Sequence, residues 1–372
     1  MNHPKFDRDR LLIRKLAERR NQIFIEKDHI PLTFRSLHLS KADRELIRKT
    51  ADRIRLARAD KKSVILVFGA HTVKNGLALV LIELMKKGWV THMATNGAGI
   101  IHDWEFAFQG KSGEDVRENV RNGQFGIWDE TGLYINIALL VGAYEGLGYG
   151  ESIGKMISKE GLEIPELQSL FNEAERLMET DPEKASAAID LSAAVRKNNL
   201  KPGFLSIPYP YKKYSVQASA YDLKVPFTGH PMIGHDIIYN HPANHGAAIG
   251  RTALTDFLYF THSVSNLDHG VYMSVGSAIM SPMIFEKALS MAQNREIRRG
   301  GHIDNHFMII ADLAKTGWDW AKHGEPPHDN PAYYLRYCKT FSRMGGEMHY
   351  LTADNRDFLT ELLSNLSDQS PE

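Results

Sequence analysis

Histidine and aspartate side chains are concentrated in residues 229–246, GHPMIGHDIIYNHPANHG. Imidazole and carboxylate groups are good ligands for zinc and related ions, so a metal site is one interpretation. Its ligands would be His230, His235, Asp236 and His241, and the matching enzyme would be a metal-dependent hydrolase of an amide or a guanidine. The spacing fits no helical or knuckle motif, so turn and capping roles for these residues stay open.

A strand, a glycine-bearing turn and a helix follow one another in residues 64–105. Val64–Phe68 is a short apolar run rich in branched residues, which is typical of a strand buried on both faces. A helix is predicted over 77–87, a second strand over 90–95, and turns over 69–76 and 96–99. Ligands of open parallel sheets bind at the carboxyl ends of strands, where both turns lie.

Glycines in the second turn could bind a ligand through their backbone, or they could only allow the chain to turn tightly. Gly97 and Gly99 have no side chain, so their backbone can approach a ligand closely and can adopt positive φ. N–H groups at the start of a following helix would favour an anion such as a pyrophosphate. Neither turn is a G-x-G-x-x-G, so nucleotide binding and tight turning both remain open.

Residues 148–155 imitate a phosphate-binding loop. Tyr149 stands where that motif needs a glycine, and Met156 stands where it needs Ser or Thr. The segment also follows a predicted helix rather than a strand. We therefore reject it as a phosphate site.

Both ends of the chain resemble the deoxyhypusine synthases. Residues 68–103 follow that family's order of strand, turn, helix, strand and glycine turn before an acidic segment, without a gap. Residues 116–119, Val-Arg-Glu-Asn, together with Gly126, are similar to the family's Leu-Arg-Glu-Asn stretch. The similarity resumes over 234–241, 270–289 and 337–363.

The resemblance implies NAD-dependent aminobutyl transfer or oxidation on a polyamine or another small amine. NAD would take a hydride from spermidine, and an enzyme lysine would carry the aminobutyl group as an imine. Lys339 is the candidate covalent residue, although it could also belong to a solvated basic turn. Asp236 is the candidate amine anchor through a charge-assisted hydrogen bond, and His241 and Tyr337 are further candidate substrate contacts.

The same resemblance places the cofactor contacts in three turns. Lys74 could meet a cofactor phosphate as a point charge. The predicted NAD-binding residues are Gly69, His71, Lys74, Gly76, Asn96, Gly97, Gly99, His102, Gly276 and Ser277.

Several positions depart from the family pattern. Ser281, a candidate catalytic residue, stands where a general-base histidine is expected, and Tyr337 stands where a tryptophan is expected. His102 replaces a glutamate that contacts the nicotinamide ribose, and His71 and Lys74 replace small polar residues. We therefore predict that the fold of the family is retained while the residues of the substrate pocket differ. A non-catalytic nucleotide-binding protein is a further alternative.

Alternating strands and helices predict a Rossmann-like, doubly wound, mostly parallel sheet with helices on both faces. Ser40 is the expected N-cap of a helix over 41–58. Further helices are predicted over 131–147, 247–262 and 282–293, and further strands over 221–227, 271–275, 307–310 and 348–351.

Three regions are predicted along the chain. Residues 1–40 are expected to form an amphipathic helical arm, which could contact another subunit. Residues 41–363 are expected to form one α/β domain, with a helical hairpin inserted at about 162–200 and broken at Asp181-Pro182. Residues 364–372 are predicted to be a disordered tail.

Composition limits the class of protein. The 372 residues include 45 basic and 45 acidic side chains, so no electrostatic footprint favours nucleic acid. No apolar run reaches the roughly 20 residues that span a bilayer, and the first residues do not form a secretory signal. The single cysteine, Cys338, suits a reducing compartment. We expect a cytoplasmic protein, and the family resemblance implies a homotetramer.

Overall fold

A computed structural model describes residues 3–367 of the chain. In that range the strands are β1 (Ile23–Phe24), β2 (Val64–Phe68), β3 (His92–Asn96), β4 (Lys111–Ser112), β5 (Gly161–Ile164), β6 (Gly203–Ser206), β7 (Phe227–His230), β8 (Val271–Val275), β9 (Phe307–Asp312) and β10 (Glu347–Thr352).

The α-helices of the same range are α1 (Ile25–Asp28), α2 (Lys41–Ala59), α3 (Ala70–Lys74), α4 (Ala78–Lys86), α5 (Gly97–Gln109), α6 (Val116–Arg121), α7 (Asp129–Glu145), α8 (Tyr149–Lys159), α9 (Leu167–Leu177), α10 (Pro182–Lys197), α11 (Val216–Leu223), α12 (Gly246–Val264), α13 (Met280–Ile297), α14 (Trp320–His323), α15 (Arg336–Ser342) and α16 (Asn355–Ser367). Short 3-10 helices occupy Arg8–Arg10, Leu16–Glu18, Lys212–Tyr214, Ile237–Asn240 and Pro331–Tyr334.

Strand β2 lies inside a parallel sheet whose order is β10-β9-β8-β2-β3-β7. The chain moves outward from β2 through β3 to β7, then returns to the other side of β2 at β8 and continues through β9 to β10. Every neighbouring pair in this sheet is parallel. This is the strand order of the Rossmann fold, with its switch point between β2 and β8. The predicted Rossmann-like fold is confirmed.

Alternate residues of β2 belong to two separate hydrophobic cores. Val64, Leu66 and Phe68 pack into one core, and Ile65 and Val67 pack into the other. Successive side chains of a strand point to opposite faces, so a sheet covered by helices on both sides needs an apolar residue at every position. This is why the sequence of β2 is apolar at every position.

The helical hairpin predicted as an insertion is present. Helices α9 and α10 pack against each other, and in the sequence they connect the antiparallel strands β5 and β6. The Asp181 carboxylate caps α10 by accepting the Lys184 N–H at 3.0 Å, and Pro182 occupies the first turn. An aspartate followed by a proline therefore separates the two helices, because proline fits the first turn but no later one.

Residues 221–227, predicted as a strand, are assigned wrongly by the sequence pattern. Tyr221 lies in α11, whose N-cap Ser215 accepts the Ala218 N–H at 3.0 Å. Strand β7 begins only at Phe227. Pro226 has no N–H to donate to a ladder, which places it just before the strand rather than within it.

The predicted amphipathic helix near the N-terminus is also wrong. Residues 3–24 form two short 3-10 helices joined by extended chain. Leu16 is buried, whereas Leu12 is 76% exposed. The segment lies along the body of the protein, and the Asp129 N–H donates to the Arg14 carbonyl at 2.8 Å. Contacts with the body have replaced a helix that the local pattern favoured.

Helix α16 continues to Ser367. Residues 364–367, which the sequence pattern placed in a disordered tail, are therefore helical, and 368–372 of that predicted tail lie outside the described residues, as do 1–2 of the predicted arm. Leu366 is buried at the end of this helix. No helix among residues 3–367 combines the length and the apolar composition that crossing a bilayer requires.

Candidate functional site

The loops after β2 and β8 meet at the carboxyl edge of the sheet. The Gly69 N–H donates to the Val275 carbonyl at 3.1 Å, and a Cβ on Gly69 would lie 2.1 Å from the Gly276 oxygen. Gly276 has a φ of 56°, and a Cβ there would meet no atom within 4 Å. Glycine thus allows the close approach, and an open space remains above the switch point, where Rossmann folds hold dinucleotides.

Residues 96–99, predicted as a glycine turn between two elements, are instead the N-cap and first turn of α5, so that prediction is wrong. Asn96 is the N-cap, and its Oδ1 accepts the Gly99 N–H at 2.9 Å. A Cβ on Gly97 would lie 2.0 Å from Asp236 Oδ2, and one on Gly99 would lie 2.2 Å from Thr95 Oγ1. Both glycines are required by contacts within the protein.

A cleft of about 350 Å³ opens beside the start of α5, between the N-terminal segment and the loops that follow β4 and β7. We call it the α5 cleft. Its charged and titratable lining residues are Arg19, Lys74, His102, Glu105, Glu114, His235 and Asp236. Lys74, His102 and Asp236 were predicted as site residues, so the structure brings these three together.

The floor of the α5 cleft is a buried ion pair. Arg19 donates two hydrogen bonds to Glu105, at 2.7 and 2.6 Å, and Ser112 and Thr131 also donate to this carboxylate. Burial alone would raise the pKa of Glu105, but the Arg19 guanidinium outweighs it and the pKa is lowered. Both charges are satisfied by each other, which leaves little for a ligand to neutralise.

His102 and Glu114 line the cleft and already form hydrogen bonds with neighbouring residues. His102 Nδ1 lies 2.7 Å from Ser112 Oγ, and burial lowers the pKa of His102 to about 4, so the imidazole is neutral at neutral pH. Glu114 accepts from Trp128 Nε1, Asn119 Nδ2 and the Gly126 N–H. Burial raises the pKa of Glu114.

Asp236 differs from these neighbours because one of its oxygens is unsatisfied. Oδ1 accepts the Ile238 N–H at 3.2 Å, whereas buried Oδ2 has no hydrogen-bond partner within residues 3–367. Burial raises the pKa of Asp236 to about 6. A shielded carboxylate oxygen without a donor is costly, so this position favours a cationic ligand.

Two tyrosine hydroxyls lie near Asp236 and are unsatisfied in the same way. Tyr149 and Tyr239 have no hydrogen-bond partner at Oη among the described residues. Burial and then the Asp236 charge raise the pKa of both phenols. An ammonium group has three N–H donors, and Asp236 Oδ2 and the two hydroxyls are three acceptors.

Other residues predicted for the cofactor have structural partners instead. Gly76 has a φ of 78°, and a Cβ there would lie 2.2 Å from the Asp28 oxygen, so it admits the N-terminal segment. Ser277 Oγ accepts the Ser281 N–H at 3.2 Å, and Ser281 Oγ lies 2.9 Å from the Tyr272 hydroxyl. His71 is exposed. Fully buried Ser281 has no place in the cleft, and its predicted catalytic role gains no support.

Lys339 and Tyr337 lie on α15 and do not line the α5 cleft. Lys339 Nζ sits 3.8 Å from the centre of the Tyr333 ring, a cation–π contact. The Tyr337 hydroxyl lies 3.2 Å from that of Tyr350. The structure therefore separates the predicted covalent lysine from the predicted amine anchor.

The histidines of residues 229–246 do not assemble into a metal centre. His230 Nε2 lies 2.9 Å from Thr228 Oγ1, and His241 Nδ1 accepts the Ala243 N–H at 3.1 Å. Within the described part of the chain no group of three or more His, Cys, Asp or Glu side chains could hold a metal ion. The metal-hydrolase alternative therefore has no site in residues 3–367.

Sequence patterns missed three charged residues that line the cleft, Arg19, Glu105 and Glu114, and the two tyrosines near Asp236, Tyr149 and Tyr239. His102 and Glu105 are three apart on one helix face, which is a signal that could have been used. Tyr149 stood inside the rejected phosphate-loop imitation. Arg19 gave no local signal, because its partner Glu105 is distant in the sequence.

Comparison with known proteins finds similar folds at low identity. No family model and no curated protein matches the chain. AgrE matches at 14% identity and a TM-score of 0.43, over 89% of this chain and 34% of AgrE. ArgZ, an arginine dihydrolase from the ornithine-ammonia cycle in cyanobacteria, matches at 13% and 0.40, over 87% of this chain and 33% of ArgZ.

A LOR/SDH protein from Methanococcus maripaludis S2 matches at 13% identity and a TM-score of 0.42, over 96% of this chain and 76% of that protein. The chain spans about a third of the length of AgrE and ArgZ. The matching structures are these proteins rather than a deoxyhypusine synthase, so the assignment to that family is wrong. At such identities and TM-scores no residue role can be transferred, and function must be argued from the site.

Proposed function

We propose that the chain is an NAD-dependent enzyme that oxidises a small cationic amine, either a simple amine or an amino acid. The observation that carries this proposal is the unsatisfied Asp236 Oδ2 beside two unsatisfied tyrosine hydroxyls, at the carboxyl edge of a Rossmann sheet. Aminobutyl transfer through Lys339 rested on the family resemblance alone, and we do not retain it.

The fit of a dinucleotide is supported by the switch point between β2 and β8. Gly276 and Ala278 are exposed there and Ala70 is half-buried, and residues this small leave room for a flat ligand. Lys74 lies at the end of α3 and lines the adjoining α5 cleft, so its ammonium could pair with a cofactor phosphate or a substrate carboxylate. Bound NAD would supply the hydride acceptor.

The charges of the α5 cleft support a ligand that carries an ammonium group. Arg19 and Glu105 neutralise each other, and His102 is neutral because its pKa is about 4. Glu114 is held by three hydrogen-bond donors. Lys74 and Asp236 remain as oppositely charged groups, and no ion pair joins them within residues 3–367. Such a pair is suited to an amino acid, whose carboxylate and ammonium would meet one group each.

Asp236 has a role in proton transfer as well as in binding. An ammonium substrate that gives a hydride to NAD⁺ becomes an iminium and releases one proton. A carboxylate with a pKa near 6 is a stronger base than an exposed aspartate, so Asp236 can accept that proton at neutral pH more readily. Because His102 is neutral, it would not repel the positively charged substrate.

Access to Asp236 requires a shift of the loop after β7. Oδ2 is shielded from water in this structure. The loop contains exposed Ile233 and His235, and Gly234 between them has a φ of 84°. Glycine relieves the strain of that conformation, so this loop is the part of the cleft wall that can move with the least cost.

A solved ternary complex of AgrE contains ornithine and NAD⁺. That is a property of AgrE. For this chain, a dinucleotide and a small cationic amino acid are proposed on its own contacts.

The test is a spectroscopic assay for reduced nicotinamide, with NAD⁺ and a panel of amines and amino acids that includes ornithine and arginine. The wild type and Glu118→Gln, an exposed carboxylate on neighbouring α6, should both form NADH with at least one of them. Asp236→Asn should lower the rate by about a hundredfold, since it removes the anion and the proton acceptor together. Equal rates for the wild type and Asp236→Asn would reject the proposed role of Asp236.

A further inference from the structure

A continuous chain of hydrogen bonds runs along the outer strands of the sheet, apart from the α5 cleft. Ser263 Oγ lies 2.8 Å from His92 Nδ1, and His92 Nε2 lies 3.0 Å from Thr228 Oγ1. Thr228 Oγ1 then lies 2.9 Å from His230 Nε2. We call these four residues the histidine chain.

The two ends of the histidine chain lie at opposite edges of the sheet. His230 is the last residue of β7 and is paired with Asn96 at the carboxyl edge, where α5 and its cleft begin. Ser263 lines a separate cleft of about 600 Å³, which lies at the amino end of β7 beside Tyr259 and His262. The chain therefore joins the carboxyl edge to an opening on the other side of the sheet.

The middle of the histidine chain is enclosed by apolar groups. His92 and Thr228 are fully buried, and His230 is 8% exposed. The Phe260 ring contacts both imidazoles edge-on. Burial lowers the pKa of both His92 and His230 to about 3, so each ring is neutral at neutral pH.

A neutral imidazole has one N–H and one acceptor nitrogen, which restricts the chain to ordered arrangements. In one arrangement His230 Nε2–H donates to Thr228, Thr228 donates to His92 Nε2, and His92 Nδ1–H donates to Ser263. In the other arrangement every donor and acceptor is reversed. His92 and His230 carry their protons on different nitrogens in both cases, and the two arrangements differ by the passage of one proton along the chain.

We propose that the chain Ser263–His92–Thr228–His230 conducts protons between the carboxyl edge of the sheet and the cleft at its amino edge. This inference rests on the proposed function, in which oxidation of an ammonium substrate by NAD⁺ releases one proton. Asp236 first accepts that proton and then releases it to His230 Nδ1, for which no hydrogen-bond partner is found within residues 3–367. His230 passes its Nε2 proton to Thr228, Thr228 passes one to His92 Nε2, His92 passes its Nδ1 proton to Ser263, and Ser263 releases one to water.

Each group gains one proton and loses one, so the step balances. The path matters when both ligands occupy the carboxyl edge, because they and the loop after β7 exclude the water that would otherwise take the proton. After the transfer the chain has the opposite polarity, which is the arrangement that carries a proton inward for the reverse reaction.

The first test needs no ligand and uses ¹⁵N NMR of the imidazoles in the full-length protein. We expect His92 and His230 to be neutral and to show opposite tautomers, one protonated on Nδ1 and the other on Nε2. Thr228→Val keeps the shape of the side chain but removes the hydroxyl, so it should uncouple the two tautomers. If both rings carry their protons on Nε2 in the wild type, Thr228 only accepts, the chain is interrupted and the inference is wrong.

The second test separates a conducting chain from a structural one. Ser263→Ala should keep the fold, because Ser263 is only half-buried, and it should lower turnover by about tenfold with an increased solvent isotope effect. Ser265→Ala, two residues further along and half-buried like Ser263, is the matched control and should turn over like the wild type. An unchanged rate and isotope effect in Ser263→Ala would overturn the inference.

Failure of this inference differs from failure of the proposed function. If NAD⁺ and amines do not bind to the wild type, the proposed function fails. The tautomers of His92 and His230 still show whether the hydrogen bonds of the histidine chain all point in one direction, as conduction requires. If both ligands bind but the tautomers are equal, the proposed function stands and only the proton path is lost.

Discussion

Asp236 is a carboxylate that the folded protein shields from water without satisfying both of its oxygens. Such a group lowers the stability of a ligand-free protein and gains energy when a cation arrives. Binding sites commonly contain groups that function needs and stability does not favour. The residue is therefore best tested by measuring both properties on the same variant.

Asp236→Asn should raise the free energy of unfolding at neutral pH while it abolishes amine binding. The pKa of Asp236 is about 6 in the folded state, above its usual 3.8. The folded protein thus takes up a proton before the unfolded chain does, and this group makes the wild type more stable as the pH falls from about 7 to about 4. That rise should be missing in the variant, as urea unfolding at several pH values would show.

Glu118→Gln, on the exposed side of α6, is the control for that experiment and should keep the wild-type pH profile. If Asp236→Asn lost stability at neutral pH by 1 kcal/mol or more, on the order of a broken hydrogen bond to a charge, Asp236 would have a hidden partner and would be a structural residue.

Individual site residues were predictable where chemistry and strand position coincided. Asp236, Lys74 and His102 follow strands at the carboxyl edge, and all three line one cleft. Gly76 and Ser281 were selected by a family pattern that is wrong, and the structure gives them packing and hydrogen-bonding roles.

The start of α5 is the element that fixes the position of Asp236. Gly97 is the first residue after the N-cap, and Asp236 Oδ2 lies 2.0 Å from where a Cβ would be. Any side chain at this position must displace the carboxylate. A substitution at Gly97 should therefore disturb the ligand site rather than the helix, because alanine is by itself a better helix former than glycine.

Gly97→Ala should weaken amine binding at least tenfold, because the new methyl group would lie 2.0 Å from Asp236 Oδ2. Gly246→Ala is a matched control, since Gly246 is also the first residue after an N-cap, in α12, and a Cβ there would meet nothing within 4 Å. Calorimetric titration with the best amine from the panel would compare them. Equal affinity in the two variants would mean that the amine does not bind near Asp236.

The N-terminal segment is held to α5 by the pair of Arg19 and Glu105, whose side chains are 2% and 1% exposed. Arg19→Met should lower the free energy of unfolding by about 3–5 kcal/mol at neutral pH, because it leaves a carboxylate buried without its cation. The pKa of Glu105 is lowered in the folded state, so this stabilisation is present above the unfolded value of about 4.5 and is lost as the pH falls through the lower folded value.

Urea unfolding at neutral pH and below pH 4.5 or so would test this, and the gap between wild type and Arg19→Met should narrow in acid. Arg20→Met, the exposed neighbour, is the control and should change stability by less than about 0.5 kcal/mol. A gap that widened in acid would contradict the assigned direction of the Glu105 pKa.

Elements with a strong local signal were predictable from the sequence. Val64–Phe68 and Val271–Val275 coincide with β2 and β8, and Ser40 caps α2 through a capping box with Asp43. The conformation of residues 3–24 was not predictable, because it depends on partners such as Glu105 that are distant in the sequence. Residues 96–99 were predicted as a turn because of their glycines. In a sequence, a glycine that leaves room for a neighbouring side chain cannot be told from a glycine that allows a tight turn.

At the scale of the whole molecule, one sheet organises three features. Its switch point provides the open space above Gly276, the start of α5 provides the α5 cleft, and β3 and β7 carry His92, Thr228 and His230 of the histidine chain. Rossmann topology brings strand ends together at one edge, so a cofactor and a substrate can meet there. The proposed cofactor site at the switch point and the proposed amine site at Asp236 are therefore two separable functions.

The most direct measurement is thermal unfolding of nucleotide-free protein with and without NAD⁺, on the wild type, Gly276→Asn and Asp236→Asn. NAD⁺ at a hundredfold excess over its Kd should stabilise the wild type by about 2.7 kcal/mol. Asp236→Asn should gain the same amount, because its change lies in the amine site. Gly276→Asn should gain nothing, since asparagine tolerates the φ of 56° and fills the open space. No stabilisation of the wild type, or equal stabilisation of Gly276→Asn, would contradict a dinucleotide site at the switch point.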